Sequence, residues 1–406
     1  MTRLLDKYQS ILERRARMLA VGADAVGLIN QQMLSPTRAI IDGRETLLAG
    51  TNNYMGITFE PECIAAGQAA LAAFGTGTTG SRIANGTYAL HTELESALAD
   101  FLGRKHCIVF TTGYQANLAM ISGLAGPRDT IFLDADSHSS IYDGCTLSGA
   151  KLVRFRHNDA ADLDKRLSRM EAENGQGGGG KLVVLEGIYS MLGDRPPLAD
   201  FVEVKRRHGF ELLLDEAHSF GVLGPNGRGL ADEAGLEDDC DYVVGTFSKS
   251  IGSIGGFGAG NDAMFEVLRN AARPYMFTAS PSPATIATAR AALAILAAEP
   301  ARRTRLWENS KRLHEGFRGL GLDLGCDTVS PIVAVKCPDE GSTVAMWNAL
   351  LDAGVYVNLA VPPGTPTRLC LLRCSVSAAH TTDEIDQILD LFAKVVAATP
   401  RTMQSA

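Results

Sequence analysis

Between residues 92 and 260, short apolar runs alternate with stretches of helical period. The runs are CIVFTT (107–112), TIFLDAD (130–136), KLVRFR (151–156), KLVVLEG (181–187), ELLLDEA (211–217) and YVVGTF (242–247), each bounded by Gly, Asp or Ser. A strand covered on both faces meets water on neither and so reads as a continuous apolar run. The pattern therefore predicts an α/β fold with a mainly parallel sheet under helices. Upstream, residues 1–50 read as a helical arm followed by a β-type entry, with Ile40 to Leu48 bracketing the turn Asp42-Gly43. Beyond Pro281, the Ala-rich stretch to Ala298 and the charged stretch 301–319 predict long helices. A last α+β segment follows, with strands near 331–337, 355–359 and 369–375 and helices near 342–353 and 382–397. The expected division is an arm at 1–50, a large α/β domain at 51–290 and a small α+β domain at 291–406. The tract GQGGGG (175–180) cannot hold a helix and predicts a flexible surface loop.

A chain of 406 residues exceeds what one compact core organises, which agrees with two domains. Its formal charge of −8 lacks the basic footprint of a general nucleic-acid binder. The eight cysteines are scattered, with no CxxC pair and no nearby histidine to complete a metal site, and read as reduced core thiols of a cytoplasmic protein. The start, MTRLLDKYQSILERRARML, mixes charges with apolar residues at helical spacing, whereas a signal peptide needs an unbroken apolar stretch. No run of 18 apolar residues offers a transmembrane segment. The basic N-terminal helix leaves peripheral association with the inner membrane open beside the plainer reading of a solvated helix.

The chemistry gathers at the strand ends: Thr111–Tyr114, Asp134–His138, Glu186–Ser190, Asp215–His218 and Thr246–Lys249 all fall on one edge of the predicted sheet. In GTFSKSIGSIGG, Lys249 follows a buried strand among small residues. Partial desolvation would leave a neutral amine there, able to form a Schiff base with an aldehyde cofactor. The hydroxyls of Thr246 and Ser248, with nearby glycines, suit a phosphate. In LLLDEAHSFG, Asp215 is the type of buried acid that keeps the ring nitrogen of pyridoxal 5′-phosphate protonated, although a strand-end Asp also caps helices. By spacing, His218 suits either a bond to the cofactor's 3′-oxygen or a satisfied core histidine. TTGYQANLAMISGL reads as a strand, a glycine turn and a helix whose first amides point at the same edge. His138, in DADSHSSIYDG, is placed to stack on a ring. The loop GTGTTGSRIANGTYALHTELE (75–95) reads as a tight, polar, mobile cradle or as a glycine-rich hairpin.

GTGTTGSRIANGT, TGYQAN, DADSHSSIYDG, EGIYSMLGD, DEAHSFGVLGPNGRG and GTFSKSIGSIGG occur in the order and spacing of the α-oxoamine synthases, and the chain resembles that family over roughly 35–397. TNNYMGITF, TTGSR, VRFRHN, RPYMFTAS and LLRCS are most similar to its bacterial members that join serine to a long acyl chain. The resemblance implies a fold-type-I pyridoxal-phosphate transferase, the fold of aspartate aminotransferase. It implies that Lys249 carries the cofactor, Asp215 faces the pyridine nitrogen, His138 stacks on the ring and His218 meets the 3′-oxygen. Gly113, Tyr114, Ser190, Thr246 and Ser248 would surround the ring and phosphate. Thr278 would reach the phosphate of a neighbouring subunit in a homodimer. Asn53 and Arg373 match positions that hold the amino-acid carboxylate, and Ser81 joins them in substrate binding. The implied reaction is decarboxylative condensation of L-serine with a long-chain acyl thioester of coenzyme A or acyl carrier protein, giving 3-ketodihydrosphingosine. Other implied readings are a synthase using glycine, alanine or another acyl donor, and a non-catalytic partner subunit, which Lys249 argues against. In VNLAVPPGTP the chain departs from the pattern: Val361 stands where an arginine precedes the two prolines, so amino-acid choice is left open, with Arg368 a few residues away.

Overall fold

The computed structural model describes residues 3–25, 27–174, 179–362, 364–365 and 368–398. Residues 175–178 of the GQGGGG tract, expected to form a flexible loop, lie outside the described residues. The chain divides into two compact units, one of residues 1–51, 191–193 and 307–406, the other of 52–190 and 194–306.

The first unit begins with the exposed helix Gln9–Ala20 and the antiparallel strands β1 (Asn30–Ser35), β2 (Arg38–Ile41) and β3 (Arg44–Leu48). Asp42 (φ 48°) and Gly43 (φ 74°) supply the two left-handed residues that a tight hairpin requires.

The second unit holds the large sheet: β4 (His106–Phe110), β5 (Thr130–Asp134), β6 (Lys151–Phe155), β7 (Lys181–Glu186), β8 (Glu211–Asp215), β9 (Tyr242–Thr246) and β10 (Gly256–Gly260), in the order β4-β10-β9-β8-β7-β5-β6. Strands β5 to β9 are parallel. Only β10 runs against its neighbours β9 and β4. All six apolar runs read from sequence are strands, and every residue of β5 and β9 is buried. Strand β10, GFGAG, escaped the sequence reading because glycine is a poor strand former. Here it is required, since a Cβ on Gly258 would stand 2.4 Å from Met120 Sδ of helix Gly113–Leu124.

The first unit resumes with β11 (Ile332–Cys337), β12 (Val355–Tyr356), β13 (Asn358–Ala360) and β14 (Cys370–Ser375), and with helices Glu340–Asp352 and Thr382–Ala398. The strand expected at 355–359 is split between two sheets: β12 pairs with β3, and β13 with β14. At the break, the Val357 carbonyl accepts a hydrogen bond from Trp347 Nε1 at 2.9 Å instead of a sheet partner.

The unit boundaries differ from those expected. Residues 1–51 join the C-terminal unit rather than standing as a separate arm, because β3 pairs with β12. The second unit runs to 306 rather than 290, because helix Pro283–Ala298 packs on helix Pro61–Phe74. The loop 75–87 is pinned rather than open. Arg82, 6% exposed, pairs with Glu95 at 2.9 Å and donates to the Val109 carbonyl and Thr87 Oγ1. Among the described residues, no single helix is long and apolar enough to cross a membrane.

At the end of β5, His157 bridges two carboxylates, Nδ1 to Asp134 Oδ1 at 2.8 Å and Nε2 to Asp194 Oδ2 at 2.6 Å. Burial alone would lower the imidazole pKa, but the two carboxylates outweigh it and raise the value to about 10. A pKa raised on folding stabilises fully below the unfolded value, and the contribution fades as pH climbs through the folded one. The thermal midpoint should therefore fall between about pH 6.5 and pH 10. His157→Gln should remove that part of the fall and cost about 2 kcal/mol at neutral pH. An unchanged profile in thermal melts of the variant would show that the imidazolium is not what the carboxylates hold.

Candidate active site

Strands β4, β5, β7, β8 and β9 end on one edge of the sheet, the position at which open α/β sheets bind ligands. A cavity of about 300 Å³ lies there. Of the residues expected from sequence, Gly113, Tyr114, His138, Asp215, His218, Thr246, Ser248 and Lys249 line it.

Asp215 closes β8 and is 4% exposed. Its Oδ1 accepts from Ala217 N at 2.9 Å and its Oδ2 from Asn117 Nδ2 at 2.7 Å. These two donors replace hydrogen bonds that the buried carboxyl group loses from water. Asn117 also donates to Ser140 Oγ at 3.0 Å, and Ser140 meets His138 Nδ1 through both its hydroxyl (2.8 Å) and its backbone N–H (3.2 Å). An N–H donating to Nδ1 requires that nitrogen to be unprotonated, so the network assigns the neutral ring proton of His138 to Nε2. Desolvation lowers the His138 pKa, against the Asp215 charge and with the help of Lys249. The neutral imidazole is therefore the dominant form near pH 7.

On the other side, Thr246 and Ser248 pair their hydroxyls at 2.9 Å, and Thr246 Oγ1 donates to the Gly255 carbonyl at 3.1 Å. Thr112 caps helix Gly113–Leu124, its Oγ1 accepting from Gln115 N at 3.1 Å, which leaves the first amides of that helix directed at the cavity. Tyr114 donates its hydroxyl to Asp143 and meets His138 edge-on, ring centroids 6.4 Å apart. His218, 5% exposed, has Nδ1 2.7 Å from the hydroxyl of the fully buried Tyr54. Lys249 is half-buried on the turn after β9.

This donor set fits pyridoxal phosphate. A primary amine stands for its aldehyde, an anchored carboxylate for its ring nitrogen, and hydroxyls with helix amides for its phosphate. The Asn117 Oδ1 atom, buried without a hydrogen-bond partner, marks polar capacity left over in the same cavity.

Other expected residues lie elsewhere. Ser81, Ser190 and Thr278 are not among the lining residues. Thr278 Oγ1 accepts from Gln115 Nε2 at 2.9 Å. Asn53 uses its amide in its own turn, with Nδ2 to Thr58 Oγ1 at 2.9 Å and Oδ1 from Ile57 N at 3.2 Å. Arg373 sits in β14 of the first unit, 5% exposed, and donates to Ser375 Oγ at 2.8 Å. Arg368 is exposed, with φ 62°. Sequence reasoning missed Asn117 and Tyr54, and it placed Glu186 in a strand-end cluster without giving it a role. Asn117 carried a signal, because it follows Gly113 by four residues and so shares its helix face.

The aminotransferase class I and II family matches residues 45–392. A serine palmitoyltransferase of Sphingomonas paucimobilis is 51% identical over 391 residues, 96% of this chain and 92% of that protein. One of Caulobacter vibrioides is 52% identical over 395 residues, 97% and 96% of the two chains. The solved serine palmitoyltransferase of Sphingomonas wittichii is 53% identical with a TM-score of 0.94, covering 98% of this chain and 99% of that one. A structure described as SPT with its PLP internal aldimine is 50% identical with a TM-score of 0.95 and the same coverage.

A Cβ on Gly113 would come within 2.7 Å of both Cβ and Oγ1 of Thr246. Gly113→Ala should thus push Thr246 aside and weaken pyridoxal phosphate binding roughly tenfold, from the 1–3 kcal/mol that overpacking costs. Titration followed by cofactor absorbance checks this. An unchanged affinity would place the phosphate away from Thr246.

Proposed function

The chain belongs to the aminotransferase class I and II family, and within it we propose that it is a pyridoxal-phosphate-dependent acyltransferase condensing L-serine with a long-chain acyl thioester. The products are carbon dioxide, the free thiol and 3-ketodihydrosphingosine, the entry compound of sphingolipid synthesis. One observation carries the reading: an amine, an anchored carboxylate and a phosphate cradle share one cavity in a chain half identical to two serine palmitoyltransferases over nearly its full length.

When bound, pyridoxal phosphate supplies an aldehyde that forms a Schiff base with an amine and a protonated ring that draws electron density from the amino acid's α-carbon. Asp215 holds the proton at the ring nitrogen. Lys249 Nζ holds the cofactor at rest and takes the α-proton of serine once released. The serine α-carbon then forms its new bond to the thioester carbonyl as the carbon–sulfur bond breaks, and loss of carbon dioxide leaves a site that is reprotonated from Lys249. His138 would cover the ring and orient the serine carboxylate for that loss. His218, its Nδ1 held by Tyr54, would offer its other ring nitrogen to the 3′-oxygen. Thr246, Ser248, Gly113 and Tyr114 bind around the phosphate and ring, with Ser190 beside them. Asn53, Ser81 and Arg373 bind serine. The chain works as a homodimer, with Thr278 reaching the phosphate held by the other protomer. We place it in the cytoplasm, where its cysteines, free in this structure, stay reduced. Val361 favours one second reading within the same chemistry, a synthase taking glycine or alanine, because the residue next to Pro362 brings no charge for a carboxylate.

Purified protein given serine and palmitoyl-CoA, with palmitoyl-loaded carrier protein as a parallel arm, should release the long-chain ketone, identified by mass. Product from glycine or alanine alone would overturn the choice of serine. Borohydride should fix the yellow cofactor to Lys249. Label recovered on another lysine would sink that assignment.

With Val361 neutral, Arg373 is the main carboxylate anchor, since a guanidinium offers bidentate geometry. Losing such a contact costs about 1.5–3 kcal/mol, so Arg373→Ala should weaken serine binding roughly ten- to a hundred-fold. Val361→Arg should leave it nearly unchanged or tighten it. Serine titrations against cofactor absorbance decide between Arg373 and a different anchor such as Arg368.

A further inference from the structure

A second carboxyl group lies beside Asp215 and has no part in the chemistry above. Glu186 closes β7 as Asp215 closes β8, and the two are register partners on adjacent parallel strands. Both line the cavity, at 3% and 4% exposure. Their surroundings differ. Asp215 receives a backbone and a side-chain donor, whereas the hydrogen bond found at Glu186 is to its Oε1 from the backbone N–H of His138. His138 is the N-cap of helix Ser139–Ser148, so this contact fixes the residue at the point where the chain leaves β5 and enters the helix.

We propose that Glu186 is a positioning residue, a neutral carboxylic acid whose carbonyl oxygen holds the His138 backbone and sets the imidazole against the cofactor ring.

Two carboxyl groups on adjacent strands in one buried cavity repel each other when both are charged, and Glu186 has the fewer donors to offset its burial. Burial pushes the Glu186 pKa well above the ordinary carboxyl range. The Asp215 charge adds to this, the His138 N–H and Lys249 oppose it, and Asp134 at the end of β5 reinforces it. Glu186 therefore adds no second negative charge beside Asp215. The His138 imidazole is held from both sides, by Ser140 at Nδ1 and by Glu186 at the backbone.

The inference rests on the reading that pyridoxal phosphate occupies this cavity, and the experiment separates the two. Apoprotein of wild type, Glu186→Gln and Glu186→Ala is titrated with pyridoxal 5′-phosphate, and each apoprotein is also melted across pH. Glutamine keeps a carbonyl acceptor in the same place, so Glu186→Gln should bind the cofactor within about twofold of wild type, while Glu186→Ala binds roughly tenfold more weakly. A buried acid whose pKa is raised on folding loses stability as pH rises above the unfolded value of about 4.5. The melting midpoint of Glu186→Gln should therefore gain on wild type from about pH 5 to pH 8, with no cofactor present. Equal cofactor losses in both variants, or no gain by Glu186→Gln with pH, would overturn the inference, because either result requires an ionised Glu186. Equal affinity in all three proteins would overturn the positioning role. Failure of wild type itself to bind the cofactor would instead defeat the functional reading.

Discussion

The burial of the Asp215 carboxyl group is the constraint around which the site is built. A carboxyl group at 4% exposure is unfavourable unless donors replace the lost water. Ala217 N supplies one donor through a tight turn just past β8. The other comes from Asn117, 98 residues earlier in the chain, and fixes where helix Gly113–Leu124 lies on the sheet. That helix can reach its place only because β10 turns glycines toward it: a Cβ on Gly256 would stand 2.7 Å from Gly113 Cα. The same approach brings Gly113 and the first helical amides to Thr246. One carboxyl group thus couples the Asp215 end of the cavity to its Thr246 end through a single helix.

How much of this was legible in the sequence follows from the range of the interactions. The strands inside the sheet announce themselves, because burial on both faces leaves a local signature of apolar residues, and the edge strand β6, mostly exposed, shows it more weakly through Lys151 and Arg154. Lys249, Asp215 and His138 were legible for the same reason, each standing where such a run stops. Strand β10 was not, since its glycines answer to a helix more than a hundred residues away. Tyr54 was silent, and the helix-face spacing of Asn117 gave its position but not its role, because an amide or phenol acquires meaning only from its partner, and Asp215 and His218 are remote in sequence. The boundary at 290 failed likewise: the Ala-rich helix carries its periodicity openly, but which unit it packs on is a tertiary fact.

The glycine-rich loop shows the limit of composition as a guide to mobility. Its Gly and Thr content describes a segment that could move, yet Arg82 ties it to Glu95, and Arg269 from a distant helix shares that carboxylate at 3.1 Å. Both guanidinium groups also lie over the Tyr275 ring, at 5.5 and 5.9 Å. A carboxylate shared by two arginines and desolvated by an aromatic ring gives an anchor that loses much if one member is removed. The loop's shape is held from beneath, while its outer residues remain exposed.

Environment, more than residue type, assigns roles along this edge. Asp215 and Glu186 have the same functional group and neighbouring register, but two donors meet the first, while burial and its neighbour's charge push the pKa of the second well above the ordinary carboxyl range. His138 and His157 sit on successive turns with opposite outcomes. Desolvation leaves the first neutral among hydroxyl and amide donors, and two carboxylates charge the second. A site meant to stabilise developing carbanion charge gains from this separation. Its polar neighbours are fixed before substrate arrives.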